Sequence, residues 1–544
     1  MCLMKKQTQA ATTRLILDGE AFFGTIHDAL DAVEQSEPSP DTYVRLAFWE
    51  IEHELLLVRA PEEVTLAEKL RAVADAGHRV QLIMWCPARL DIRVQKGQLS
   101  ENVYNTNLET ARQLGGYVGQ DDSGGSIEVL MEIYNGWNGS SVHQKMVLWS
   151  IQGRLHALIG GINLAGFYWD NEAHEGCFEG GMGGVPLGDT VHDSVLQLDG
   201  PAAVVVEEEW LRRWKKRYYT TQLTGNQGPG TTPISDPTDY ERQPRARVRD
   251  QPRGREDVVI ATTSSESYLG RATDIQSLLV ERIRRARDYI YFEGFIFSDP
   301  TLVAELAARL RAPNPPLVII MVPMPYEENP FPFDYLNYIS FAKLALASCD
   351  AVTAKGRTVA RQDCSRWKVN ESLNAWSTLR SVTSTVTNRW MEKDSFTCQP
   401  RNGAELSCPL LQIEGFQGGV RLYSPVRRPD SRSEETAIYI HSKLALFDDD
   451  VAVVGSANFS YRSMVYDGEL SAFVHGDGAR RIRETLFRHY NMRTPAQWDA
   501  DAVDDVGDLR VRRTGVLRLE LEHFDRRIPS VKDPAYKWAN HTFF

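Results

Sequence analysis

A chain of 544 residues is too long for one ordinary core, so two domains of roughly two hundred residues each are expected. Its 42% hydrophobic and 25% charged residues suit a soluble globular protein, and a formal charge of −12 argues against a surface built for indiscriminate nucleic-acid binding. No run reaches the roughly 20 apolar residues that span a bilayer, and the opening MCLMKKQTQAATTRLILDGEAFF lacks the apolar core and cleavage signal of a secretory leader.

In chain order, TYVRLAFWEIE reads as an aromatic, β-rich strand. In the following EEVTLAEKLRAVADAGHRV, Leu66, Leu70 and Val73 recur at helical spacing, and Gly77 stands where a helix would stop. VQLIMWCP is then a short buried strand. Residues 220–257, rich in Gly, Pro, Thr, Gln and Arg, read as a linker or crossover. Beyond them the order repeats. DYIYFEGFIF is a strand, and a helix follows with Asp299 as cap, Pro300 at its first position and Leu302, Leu306 and Leu310 as its stripe. PLVIIMVPMP is the next buried strand. Strand, helix, strand in each half implies βαβ units in sheets covered by helices. A polar stretch near 355–409 reads as an insertion in the second half. Its Cys364, Cys398 and Cys408 read as free thiols of a reducing compartment, with a local disulfide as the alternative. With no Cys-x-x-Cys pair in the chain, a zinc site is not expected.

Within IYIHSKLALFDDDVAVVGSANFSYRS, His441 and Lys443 are two apart in an apolar run, so on extended backbone they project to one side. An imidazole beside an ammonium suits attack on a phosphate: one supplies a nucleophile or acid, the other neutralises phosphoryl oxygens. Lysine is a poor metal ligand, so the pair does not read as a metal site. Twelve histidines would give His-x-Lys about once by chance. A second copy nevertheless occurs in SSVHQKMVLWSIQGRLHALIGGINL, at His143 and Lys145, and ALIGGIN follows it as AVVGSAN follows the other. Two such segments in halves of like order point to an internal repeat.

Here the sequence resembles the phospholipase D superfamily, whose signature is His-x-Lys-x4-Asp followed by Gly-[Ser/Gly]-x-Asn, used twice. The second copy matches at His441, Lys443, Asp448, Gly455, Ser456 and Asn458, and Glu469 falls on the acidic position after FSYRSMVYDG. The first matches at His143, Lys145, Gly160, Gly161 and Asn163 but has Ser150 where Asp is expected. We read that Asp as more important for folding a turn than for the reaction. VHDSVLQLDGPAAVVVEEEWLRRW resembles the segment after the first motif, with Asp193 on its acidic position, and ARDYIYFEGFIF resembles another family strand, keeping Glu293 but carrying Gly294 and Phe295 in place of Asn and Gln. The resemblance covers residues 15–474.

The resemblance implies two similar α/β/α sandwich domains with mixed sheets, related by a pseudo-twofold, with the active site at their interface. The halves are expected at residues 1–219 and 258–510, with 511–544 as a tail. It also implies that His143 attacks phosphorus while His441 protonates the leaving alcohol, roles that could be exchanged. Asp193 is expected to hold the ring of His143 and Glu469 that of His441, with Glu175 in reserve for Asp193. Lys145, Lys443, Asn163, Asn458, Ser456 and Gly161 would cradle the phosphate, and Asp448 would be structural. The chemistry calls for no metal or cofactor. The expected substrate is a phospholipid at a membrane surface, hydrolysed or transferred to another alcohol by a monomer. Such a chain would be cytoplasmic, or exported without a signal peptide, and peripheral to membranes. Both motifs on one chain and the acidic balance disfavour a nuclease, which stays as the alternative beside a catalytically silent binding protein. Tyr326, Phe331, Phe333, Tyr335 and Tyr338 offer an aromatic loop suited to headgroups, or else to core packing.

Overall fold

In the computed structural model, the described residues are 8–59, 63–86, 98–120, 123–133, 140–175, 190–215, 242–266, 270–323, 419–427, 436–490 and 514–519, with short pieces at 336–337, 340–341, 343–344, 347–348, 367–368 and 399–400. The aromatic loop residues, Cys364, Cys398 and Cys408 lie outside them.

The first half contributes β1 (Gln9–Leu17), β2 (Tyr43–Phe48), β3 (Arg79–Cys86), β4 (Ser126–Ile133), β5 (Met146–Ile151), β6 (Arg154–Gly160) and β7 (Ser194–Asp199). Pairing sets them in the order β1-β7-β6-β5-β2-β3-β4. The second half contributes β8 (Glu256–Ser264), β9 (Tyr289–Glu293), β10 (Leu317–Met321), β11 (Gly419–Arg427), β12 (Leu444–Phe447), β13 (Val451–Gly455) and β14 (Glu469–His475). Their order is β8-β14-β13-β12-β9-β10-β11. Position by position the two orders agree, down to which neighbours run parallel. The halves are therefore two copies of one mixed α/β topology.

Local chemistry explains the helices. In α2 (Leu66–Asp75), Thr65 and Glu68 form a capping box, and Leu66, Leu70 and Val73 are fully buried on one face. Gly77, at φ 94°, turns the chain out. In α6 (Pro300–Arg311), Asp299 accepts from the Leu302 amide at 2.8 Å, and Leu302, Leu306 and Leu310 are fully buried. Each leucine contributes about 2 kcal/mol of apolar burial. The remaining helices used below are α1 (Gly19–Glu34), α3 (Gln98–Leu114), α4 (Pro201–Trp214), α5 (Asp274–Arg285), α7 (Tyr461–Val465) and α8 (Asp477–His489).

The two copies are more intimately joined than separate sandwiches. β1 pairs antiparallel with β8, Gln9 opposite Val258 through Ala11 opposite Glu256, so the sheets are continuous. One apolar core includes Tyr43, Met146 and Trp210 of the first half together with Tyr291, Leu446 and Leu486 of the second. The outer core under α5 and α6 belongs to the second half, and that under α1 and α2 to the first half except for Tyr439, which enters it from the second. Two expected boundaries are corrected. The expected linker ends in structure: Pro244 O accepts from Arg45, Gln251 accepts from the Leu155 amide, and β8 starts at Glu256. The expected tail contains a strand, Thr514–Leu519, which pairs antiparallel with β11.

Candidate active site

Neither His-x-Lys pair lies inside the sheet. Each occupies the extended stretch just before a strand, β5 for His143 and Lys145, β12 for His441 and Lys443. These lead-ins leave their own sheets and pair with the opposite half. Val191 and His192 run parallel to Tyr439 and Ile440, and the His441 amide donates to His192 O at 2.8 Å. On the other side Val142 bridges Gly468, and the His143 amide donates to Gly468 O at 3.0 Å. Asp193 and Glu469 are the residues that follow these contacts.

The expected acid pairing is therefore corrected. His441 Nδ1 meets Asp193 Oδ2 at 2.7 Å, and His143 Nδ1 meets Glu469 Oε1 at 2.9 Å. Each acid serves the imidazole of the other half, because the parallel contact carries it across. Glu175 is at the surface with its carboxylate near Asn171, so it takes no part as a reserve. An Nδ1–H donated to a carboxylate leaves Nε2 with its lone pair free. Ser456 Oγ donates to Glu469 Oε2 at 2.6 Å and fixes that carboxylate. At the matching position of the first half, a Cβ on Gly161 would stand 2.2 Å from Asp193 Oδ1, so only glycine admits that carboxylate.

The Lys145 ammonium donates to His143 O at 2.8 Å, and Lys443 donates to His441 O. Burial pushes Lys145 down to about 7 and Lys443 down to about 8. Burial, then the nearby lysines, also holds both imidazoles well below the usual histidine range. Burial raises Asp193 to about 6 and Glu469 to about 7. The two imidazoles, two lysines and two acids sense one another and form one site. Asn163 Nδ2 donates to the Tyr168 hydroxyl at 3.0 Å, while Oδ1 of both Asn163 and Asn458 is buried without a hydrogen bond.

Several site residues escaped the sequence reading. Asp467 accepts from the Ser141 amide at 2.6 Å and from Arg462 Nε at 2.7 Å, tying the first lead-in to the second half. The Phe295 ring stacks on His441 with centroids 5.6 Å apart and planes 3° apart, and Trp49 lies 6.3 Å from His143. Gln144, between His143 and Lys145, donates to Glu209 and to Glu469 O from the opposite side of the strand. The aromatic-acid run after the first strand, WEIE, was the available signal for Trp49.

The group of side chains able to hold a metal ion among the described residues is Asp18, His174, His192 and His489, all buried, with ligand atoms within 4.8 Å of one another. His174 Nε2 faces His489 Nε2 at 3.1 Å while its Nδ1 meets Asp170 at 3.0 Å; His192 lies between Asp18 at 2.8 Å and Glu293 at 3.1 Å. Three imidazoles and a carboxylate form a donor set that fits a borderline divalent cation, where the sequence reading expected no metal site. Four residues so far apart in the chain form no spacing motif.

Residues 415–490 match the family described as cardiolipin synthase, PLD-like domain. The chain is 23% identical over 518 residues to phospholipase D beta 1 of Arabidopsis thaliana, covering 80% of this chain and 44% of that protein. It is 24% identical over 507 residues to phospholipase D alpha 1 of Zea mays, covering 80% and 58%. The chain thus spans about half the length of the curated relatives it matches. Among solved structures, phosphatidylserine synthase of Haemophilus influenzae Rd KW20 aligns with a TM-score of 0.48 at 12% identity, covering 98% of this chain and 93% of that one. No described helix is long and apolar enough to cross a membrane.

Proposed function

We propose that the chain, which resembles the phospholipase D superfamily, cleaves the bond between a phosphatidyl group and its head-group alcohol. One observation carries this reading: a half-buried imidazole, His143, and a buried one, His441, each with Nδ1 on a carboxylate from the opposite half, share one site with two buried lysines. His143 Nε2 attacks phosphorus as the phosphorus–oxygen bond to the head group breaks, and His441 gives its proton to the leaving alcohol. A water molecule, deprotonated by His441, then displaces His143 and releases phosphatidic acid. A second alcohol in place of water gives transfer. Burial and the lysines favour neutral imidazoles, while a bound phosphodiester adds the negative charge that favours a protonated His441. Lys145 and Lys443 neutralise the phosphoryl oxygens; Asn163 and Asn458 can add to this only through Nδ2, since their unsatisfied atoms are Oδ1 acceptors.

Head-group release from mixed phospholipid vesicles, run beside cleavage of single- and double-stranded DNA, tests the substrate. Rapid quenching should trap acid-labile, base-stable phosphate on His143. Label on serine refutes the covalent scheme, and DNA cleavage without head-group release moves the substrate to nucleic acid.

A further inference from the structure

The cluster of Asp18, His174, His192 and His489 draws on both halves of the molecule. Asp18 stands between β1 and α1, His174 lies in the segment after β6, and His489 closes α8 of the second half. The side chains of Asp18, His174 and His489 are 1%, 0% and 2% exposed, so water does not satisfy them.

Three of their atoms converge. His174 Nε2 lies 3.1 Å from His489 Nε2, and Asp18 Oδ2 lies 3.8 Å from the first and 3.6 Å from the second. The circle through a triangle of those sides has a radius of about 2.0 Å, so one point stands a zinc–nitrogen bond length from all three atoms. The surrounding groups turn lone pairs toward that point. Asp170 Oδ2 meets His174 Nδ1 at 3.0 Å, which puts the ring proton on Nδ1 and leaves Nε2 as a donor of electrons. His192 Nδ1 stands 2.8 Å from Asp18 Oδ1 and orients the carboxylate. The other oxygen, Oδ2, is buried without a hydrogen bond among the described residues. A hydrogen bond between the two rings would satisfy their nitrogens but not this oxygen, which at 3.6 and 3.8 Å is beyond hydrogen-bond reach of either. Asp18 also holds φ 65° and ψ 164°, a region nearly reserved to glycine, and His174 holds φ 50°. Such backbone persists where the surroundings demand one side-chain position.

We propose that Asp18, His174 and His489 bind one borderline divalent cation of the zinc type, and that this ion clamps the two halves behind Asp193. The inference goes beyond the phosphodiesterase reading. Asp18 brackets Asp193: its amide donates to Asp193 O at 2.9 Å, and its Oδ1 accepts from the Asp193 amide at 3.3 Å. Asp170 Oδ2, which supports His174, also accepts from the Val191 amide at 2.8 Å, where the chain begins its parallel contact with Tyr439 and Ile440. An ion held between Asp18 and His489 therefore fixes the segment that delivers Asp193 to His441, and acts on the site by positioning alone.

The test uses the full chain, expressed with added zinc and desalted in the presence of a weak chelator. Mass spectrometry of the metal should find about one zinc ion per chain, and stripping it with a strong chelator should lower the melting temperature. His174→Gln and His489→Gln should each cut retention about tenfold or more. His27→Gln, outside the cluster, should keep it, which separates the cluster from other histidines. Less than about a tenth of an ion in the wild type overturns the proposal, as does equal retention in wild type and His489→Gln. A melting curve unchanged by removal of the ion overturns the clamp. If neither cluster variant folds, anomalous diffraction at the zinc edge from wild-type crystals decides: a peak between Asp18 Oδ2 and the two Nε2 atoms supports the ion, and a peak elsewhere or none overturns it. None of these readouts involves head-group release, so failure of the vesicle assay would count against the phospholipase reading and not against this one.

Discussion

At the residue scale, the crossed pairing makes a sharp forecast. Asp193 sits on His441 at 2.7 Å, so Asp193→Asn should perturb the Nδ1 resonance and titration of His441 and leave His143 nearly unchanged. Imidazole-resolved NMR separates this from pairing within a half, which would move His143 instead. Turnover should fall about 10²–10⁴-fold, the range for losing a group that orients an acid–base imidazole. The pH profile follows from two other groups. Glu469, raised to about 7, must be ionised to accept from His143, so activity rises as pH climbs through 7. Lys145, lowered to about 7, must stay protonated to neutralise phosphate, so activity falls as pH climbs further. kcat/KM should therefore trace a narrow bell near pH 7, with Glu469→Gln flattening its acid limb. A broad plateau from pH 5 to 9 would contradict both assignments. The histidines and lysines were legible because their spacing repeats in the sequence, and the acids only through the family resemblance. Their partners were not, since proximity in the chain favours the acid of the same half and only a cross-half strand contact shows otherwise.

At the element scale, the departure at Ser150 has a structural explanation. Asp448, at φ 51°, begins the β12–β13 turn, and its carboxylate accepts from the amides of Arg287, Asp288 and Tyr289 at 3.1, 2.9 and 3.0 Å. In the first half Ser150 Oγ donates to Asp41 O at 2.7 Å, and the Gln152 amide donates to Thr42 Oγ1 at 3.0 Å. Both sets fasten the hairpin to the loop that enters the neighbouring strand, with donor and acceptor exchanged. Asp448→Ala should thus cost about 1–3 kcal/mol, from lost charge-assisted bonds and a left-handed backbone without its side-chain support. It should lower the melting temperature and leave turnover per folded molecule close to wild type. A large fall in turnover with an unchanged melting curve would place Asp448 in the chemistry. Helices with a cap and a leucine stripe, such as α6, could be read directly. The packed stretch from Gln243 to Gln251 could not, because its Pro- and Arg-rich sequence gives no period and its order comes from Arg45 and Leu155.

At the scale of the whole molecule, neither half holds a complete imidazole–acid pair. The exchange of Asp193 and Glu469 makes the interface part of the reacting group, and the shared core and the β1–β8 seam hold it in register. The repeat was visible in the sequence, yet the continuity of the sheets was not: Gln9–Ala11 and Glu256–Val258 carry no pattern that names them as partners. A mixing experiment follows from this arrangement. In a chain whose own two halves form the site, His143→Ala and His441→Ala molecules each lack one imidazole, and combining them gives no intact site. Equimolar mixtures, including samples unfolded and refolded together, should stay as inactive as either variant alone, about 10³-fold or more below wild type. Halves exchanged between two chains would instead regenerate wild-type sites in about a quarter of random pairings, recovering activity that rises with protein concentration. Recovery of that kind would show that the crossed acids come from a second molecule rather than from the far half of the same one.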